Sequence, residues 1–208
     1  MSTLKIFLRS TGFSQEDRKA YKTELSNLGV TPRVAIIHNA LRYGWYRAVN
    51  DQVVIREMKL FGCECVTVDL LKDGWLAKLR TCNVVYVGGG DTRRLLKTMR
   101  AGRCGELLFE HLLRCNGIYV GVSAGAIVCG STIEPADWLG DSTAVEPPTM
   151  EGYSLLKMRG VVLPHCNEHV HCTMIAAYQR ANLSKSVIKL KNGESKFLVI
   201  EHLPFQRT

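Results

Sequence analysis

Three features of this 208-residue chain predict an α/β fold: one mostly parallel sheet with helices on both faces. Short β-branched runs alternate with longer amphipathic ones. The runs are apolar throughout rather than at every second residue, as strands covered on both sides must be. Two glycine-rich turns, Gly88–Gly90 and Gly121–Gly125, each stand at the end of such a run.

Each element has a local cause. Lys5–Leu8 reads as the first strand. Ser14 then caps a helix whose first turn holds Gln15, Glu16 and Asp17, a capping-box pattern, and which stops by Gly29. A strand is predicted at Val34–Ile37, a helix from Tyr46 to Leu60 ended by Gly62, a strand at Cys65–Val68 and a short helix from Asp73 to Arg80. Asn83–Val87 is a strand running into Gly88-Gly89-Gly90, followed by helices near Thr92–Arg100 and Cys104–Leu113. Ile118-Tyr119-Val120 leads through Gly121-Val122-Ser123-Ala124-Gly125 into the helix-prone Ala126–Cys129. Residues 131–152 hold three prolines and five acids and read as a long loop or lid. A strand at Val161–Leu163, a helix from Cys172 to Leu183 and strands at Val187–Leu190 and Phe197–Ile200 complete the chain, with no repeat or boundary that would divide residues 1–208 into more than one domain.

Composition sets limits on function. No apolar run approaches the roughly 20 residues a membrane helix needs, so a cytoplasmic protein without a membrane partner is expected. Eight cysteines without a C-x-x-C pair, with Cys82, Cys104, Cys115 and Cys129 in or beside apolar elements, read as free, reduced thiols. The net charge of +8 could serve an anionic partner. Its densest part, Arg93, Arg94, Lys97, Arg100 and Arg103, lies on one helix without interleaved aromatics, which favours a solvated face over nucleic-acid binding.

The chemistry centres on Ser123. In a G-x-S-x-G elbow, glycines let the chain bend sharply and leave the hydroxyl uncrowded, and the helix that follows offers free N–H groups to a developing anion. A serine hydroxyl needs a base to take its proton. His165, directly after Val161–Leu163 and Pro164, and His38, after Val34–Ile37, both fall at strand ends where ligands of such sheets bind. The acid that would orient the base is open among Glu194, in the turn Lys191-Asn192-Gly193-Glu194, and Asp137 and Asp141 in the lid segment. The Ala124 N–H and the Gly88-Gly89-Gly90 backbone are candidate oxyanion donors. His165, His169 and His171 could instead ligate zinc with Cys166, Glu168 or Cys172, but their spacing matches no common zinc arrangement. No Gly-Lys-Ser/Thr follows the glycine turn, which argues against a phosphate loop.

Together, Tyr86-Val87-Gly88-Gly89-Gly90-Asp91-Thr92, Gly121-Val122-Ser123-Ala124-Gly125-Ala126 and Leu163-Pro164-His165 resemble the peptidase E (aspartyl dipeptidase) family of serine peptidases, to which cyanophycinases are related. The resemblance covers nearly the whole chain. It implies a fold like class I glutamine amidotransferases, Ser123 as nucleophile, His165 as general base and a glutamate in the late turn, best matched by Glu194 with Asp137 as the fallback. It further implies oxyanion donors near Gly89 or Gly90 and Ala124, and no metal or cofactor. Two departures bear on substrate. Asp91 and Arg93 stand where the family commonly has Asn and an aromatic. Glu134 stands near the place where aspartyl dipeptidases hold the substrate's aspartate with an arginine. Glu134 and Asp91 are therefore substrate-binding candidates, and an N-terminal aspartate is disfavoured.

The expected activity is serine-dependent hydrolysis of short peptides or peptide-like amides, with a homodimer left open. The alternatives are a binding or regulatory domain using the basic face, and a serine hydrolase of esters or other non-peptide substrates.

Overall fold

In the computed structural model, residues 2–141, 146–147, 149–156, 160–183 and 185–202 are described. The elements run β1 (Leu4–Arg9), α1 (Gln15–Ser26), β2 (Arg33–Ile37), α2 (Trp45–Leu60), β3 (Glu64–Thr67), α3 (Trp75–Leu79), β4 (Val84–Val87), α4 (Thr92–Arg100) and α5 (Cys104–Arg114). They continue with β5 (Ile118–Val122), α6 (Ala124–Ile127), α7 (Pro135–Trp138), β6 (Val161–Leu163), α8 (Glu168–Ala181), β7 (Val187–Lys189) and β8 (Ser195–Ile200).

Six strands form the central sheet in the order β3-β2-β4-β5-β1-β8. The β2–β3, β2–β4, β4–β5 and β1–β5 pairs are all parallel. Only β8 departs, returning antiparallel along β1. The sheet is covered on both faces because its strands point large apolar side chains both ways. On β1, Leu4, Ile6 and Leu8 enter one core, with Leu95, Leu96 and Met99 of α4 and Leu108, Phe109 and Leu112 of α5. Phe7 enters the other, with Tyr21 and Leu25 of α1 and Val54 and Met58 of α2. Each such fully buried side chain contributes roughly 1.5–3 kcal/mol.

Two local expectations are revised. β6 and β7 do not join the main sheet but form a separate parallel pair, with Val161 opposite Val187. The β1 edge that they could have extended is taken by β8. The helix after the elbow starts at Ala124 and ends by Ile127, so the full helix dipole expected behind Ser123 is reduced to a single turn. Of the expected lid, residues 131–141, 146–147 and 149–152 are described, and the rest lies outside the described residues. Its first part contains α7, and Thr132 bridges back to Glu151. Among the described residues, no helix is long and apolar enough to cross a membrane. All eight cysteines are free, and burial pushes the Cys129 thiol up to about 12.

Candidate active site

β4 and β5 are neighbours, so the turns that leave their carboxyl ends meet. Glycine is required where they touch. A Cβ on Gly121 would stand 2.4 Å from the Gly125 carbonyl oxygen, and one on Gly125 would stand 2.3 Å from that of Val87. Backbone atoms cannot yield at such distances. The elbow therefore seats directly against β4 and lifts Ser123 out of the sheet. Ser123 itself has φ 51° and ψ −109°, a conformation that L residues rarely adopt. The Ser123 N–H donates to the Arg9 carbonyl at 2.9 Å, which fixes the turn to the end of β1. The residue is half-buried and reachable from solvent.

His165 also lies in the left-handed region, at φ 53°. Its Nε2 is 3.0 Å from Ser123 Oγ and its Nδ1 is 2.8 Å from Asn192 Oδ1. The base candidate and the nucleophile candidate, 42 residues apart in sequence, are thus in hydrogen-bond contact. Ser10 ties the group together. Its Oγ accepts the His165 backbone N–H at 2.8 Å and lies 3.3 Å from both His165 Nδ1 and Asn192 Oδ1. The turn that carries Asn192 is held by long-range bonds to the end of β1. The Gly193 N–H donates to Thr11 Oγ1 at 2.9 Å, and the Ser10 N–H donates to the Glu194 carbonyl at 3.1 Å.

Glu194, expected to orient His165, is spent within its own turn, where its Oε2 accepts the Lys191 N–H at 2.7 Å. Two residues earlier in the same turn, Asn192 takes the position beside the imidazole. Asp137, the fallback, pairs with Arg93 at 2.5 Å, and Asp141 Oδ2 accepts from Thr92 N–H at 3.1 Å and from Thr92 Oγ1 at 2.9 Å. These two acids fasten the segment after residue 131 to the start of α4, beside the glycine turn. Asn192 and Ser10 carry no local sequence signal, because asparagine and serine are ordinary turn residues. Only the docking of one turn on another singles them out.

The Gly88–Gly90 turn lies against Ser123. A Cβ on Gly89 would meet Ser123 Cβ at 3.0 Å and Oγ at 3.6 Å, so the bare Gly89 backbone occupies the space beside the hydroxyl. Gly90, at φ 129°, is wedged against Ala40 and Leu41. Ala124 opens the turn of α6, and the first N–H groups of a helix have no partner within it. Asp91 caps α4, its Oδ1 accepting the Arg94 N–H at 2.8 Å. Glu134 immediately precedes α7, and its charge helps to raise the Tyr178 phenol, after the larger effect of burial.

His38 has a different setting. It is 3% exposed, and its Nδ1 pairs with Asp51 Oδ1 at 2.6 Å. Its ring lies under Gly88, where a Cβ would come within 2.0 Å of His38 Cδ2. His171 caps the start of α8, its Nδ1 accepting the Asn167 N–H at 3.1 Å. Among the described residues, no group of three His, Cys, Asp or Glu side chains is placed to hold a metal ion.

A sheet of this order, with a serine in a strained turn at one strand end facing a histidine from outside the sheet, defines a mostly parallel α/β protein with a serine–histidine pair beyond its strand ends. The family comparison identifies it further: the model of Peptidase family S51 matches residues 10–202, and the chain belongs to that family. Among solved structures, it is similar to a candidate peptidase E protein from Listeria monocytogenes EGD-e, with a TM-score of 0.71 and 21% identity over 100% of both chains. It is also similar to a peptidase from an acI-B1 Actinobacterium, with a TM-score of 0.68 and 17% identity over 95% of this chain and 84% of that one. No curated protein sequence matches the chain.

Proposed function

We propose that this peptidase-family protein hydrolyses short peptides through a serine nucleophile, with Ser123, His165 and Asn192 as the working set. The observation that carries the reading is the continuous chain of contacts from Ser123 Oγ to His165 Nε2 at 3.0 Å and from His165 Nδ1 to Asn192 Oδ1 at 2.8 Å. An amide oxygen can only accept, so Asn192 Oδ1 holds the imidazole as the Nδ1–H tautomer. Nε2 then carries the lone pair that faces the hydroxyl, which is the form a general base requires.

In this mechanism Ser123 Oγ attacks the peptide carbonyl while His165 Nε2 takes its proton. The carbonyl oxygen becomes an oxyanion, held by backbone N–H groups of Ala124 and the Gly89–Gly90 turn. His165 returns the proton to the departing amine nitrogen as the C–N bond breaks, leaving an ester on Ser123. Water, deprotonated by the same Nε2, then releases the acid and restores the hydroxyl. Asn192 positions the imidazole without adding negative charge, so the imidazolium gains less than it would beside a carboxylate.

The short-substrate reading is supported by the strap made by Arg93–Asp137 and Thr92–Asp141, which borders the glycine turn. Glu134 disfavours an acidic first residue. The basic-face alternative loses its main support. Arg93, Arg94, Arg100 and Arg103 are paired with Asp137, Asp91, Glu106 and Glu110, respectively. A dipeptide panel varying the first residue tests the reading. Hydrolysis by wild type that Ser123→Ala lowers by about 10⁴-fold is expected, and hydrolysis unchanged in Ser123→Ala would refute it.

A further inference from the structure

A hollow of about 250 Å³ lies where β3 ends at Thr67 and α2 begins after Gly44. No residue of the set around Ser123 lines it. Three features of its wall are cationic. The first is the start of α2, a helix of 16 residues: Gly44 provides no side-chain cap and the first turn holds no acid, so its N–H groups and positive dipole end lack a negative partner there. The second is Arg47, which lines the hollow with a side chain only 10% exposed. Among the described residues its one ion pair is a long contact, 3.5 Å from Nη1 to Asp69 Oδ2, which leaves most of its five N–H donors unspent. Burial lowers its pKa from the ordinary value, and Asp51 only partly opposes this. The third is Lys72 and Lys78, which also line the hollow and form no ion pair among the described residues. The Tyr43 ring gathers two of these cations, with the Arg47 guanidinium 4.8 Å and the Lys72 ammonium 5.4 Å from its centre.

We infer that this hollow binds a small oxyanion, a carboxylate or phosphate group, with Arg47 as its main ligand and Lys72 and Lys78 beside it. Accounting for the acids in the wall selects the sign of the charge. Asp69 is saturated: its Oδ1 accepts from Asn39 Nδ2 at 2.8 Å and from the Leu71 N–H at 3.0 Å, and its Oδ2 accepts the Tyr43 hydroxyl. Asp51 is paired with His38 at 2.6 Å. Only Asp73 is left to set against Arg47, Lys72, Lys78 and the helix start, so the unspent groups are mostly donors and positive charges. A guanidinium fork matches two oxygens of a carboxylate or phosphate, and such charge-assisted bonds are about twice as strong as neutral ones. The volume, about 250 Å³, falls below the roughly 300–1,000 Å³ of sites for drug-sized molecules, so the body that carries the oxyanion is small. Asp51 stands between this hollow and the catalytic crevice. It lines the one and pairs with His38, whose ring lies under Gly88 beside the other.

Isothermal titration calorimetry on the full chain at low ionic strength tests the inference without reference to catalysis. Inorganic phosphate and succinate are the two probes, and their relative affinity separates a phosphate from a carboxylate preference. At least one should bind with a Kd below about 1 mM, while chloride should bind far more weakly. Arg47→Met should abolish the binding. The double variant Lys72→Gln/Lys78→Gln, at two exposed positions, should stay folded by circular dichroism and weaken it at least about 10-fold, which keeps the test decisive if Arg47→Met does not fold. Trp75 lines the hollow, so its emission should change with the same midpoint, and Trp75→Phe should remove that signal. Ser123→Ala should bind the anion as the wild type does. Binding of both probes no tighter than chloride, binding undiminished in the double lysine variant, or binding lost in Ser123→Ala would overturn the proposal.

Discussion

His165 and His38 each follow a strand, and each has a hydrogen-bonding partner on Nδ1, yet they differ in every other respect. His38 has the stronger partner, the Asp51 carboxylate at 2.6 Å, and is buried beneath the Gly88 backbone. His165 has the weaker one, the Asn192 amide at 2.8 Å, and is half-buried with Nε2 on a serine. On the proposed assignment, a carboxylate beside an imidazole is not what marks the base. What distinguishes His165 is that its free nitrogen meets a hydroxyl held in a strained, accessible turn. The His38–Asp51 pair instead fills the space under the glycine turn and keeps that turn in place.

Substitution of the two histidines separates these roles. His165→Gln should lower peptide hydrolysis by about 10³-fold or more while leaving the urea midpoint close to wild type. His38→Leu, which leaves Asp51 without its partner, should cost about 1–3 kcal/mol of stability in the same urea titration. Its activity loss should be much the smaller of the two. If the activity losses were reversed, the roles assigned to the two sites would be exchanged.

The partner of His165 provides the next comparison. Asn192→Ala frees the ring to adopt either tautomer, with Ser10 alone beside Nδ1, and should lower kcat on the order of 10- to 100-fold with little change in KM. Glu194→Gln alters only the turn's internal bond to Lys191 and should stay within about twofold of wild type. A large loss in Glu194→Gln combined with none in Asn192→Ala would restore the glutamate to the role that the family resemblance implies.

The alternation of strands and helices was legible in the sequence because each strand is apolar on both faces. The meeting of the two glycine turns followed from the same pattern, since adjacent parallel strands deliver their ends to one edge. Ser123 and His165 stood out for local reasons: a glycine-flanked serine and a histidine after a strand and a proline. Asn192 did not, because its position depends on Gly193 and Glu194 docking onto Thr11 and Ser10, more than 180 residues earlier in the chain. A turn between strands was readable, but which of its side chains faces inward was not. The return of β8 along β1, and with it the exclusion of β6 and β7 from the main sheet, likewise depends on long-range pairing that local periodicity does not encode.

The most direct test of the central claim uses a serine-reactive fluorophosphonate, with the labelled residue located by peptide mass spectrometry. The proposed mechanism predicts one modification, on Ser123, formed markedly more slowly in His165→Gln and absent from Ser123→Ala. A wild-type protein that takes up no label, or labelling that persists in Ser123→Ala, would contradict it.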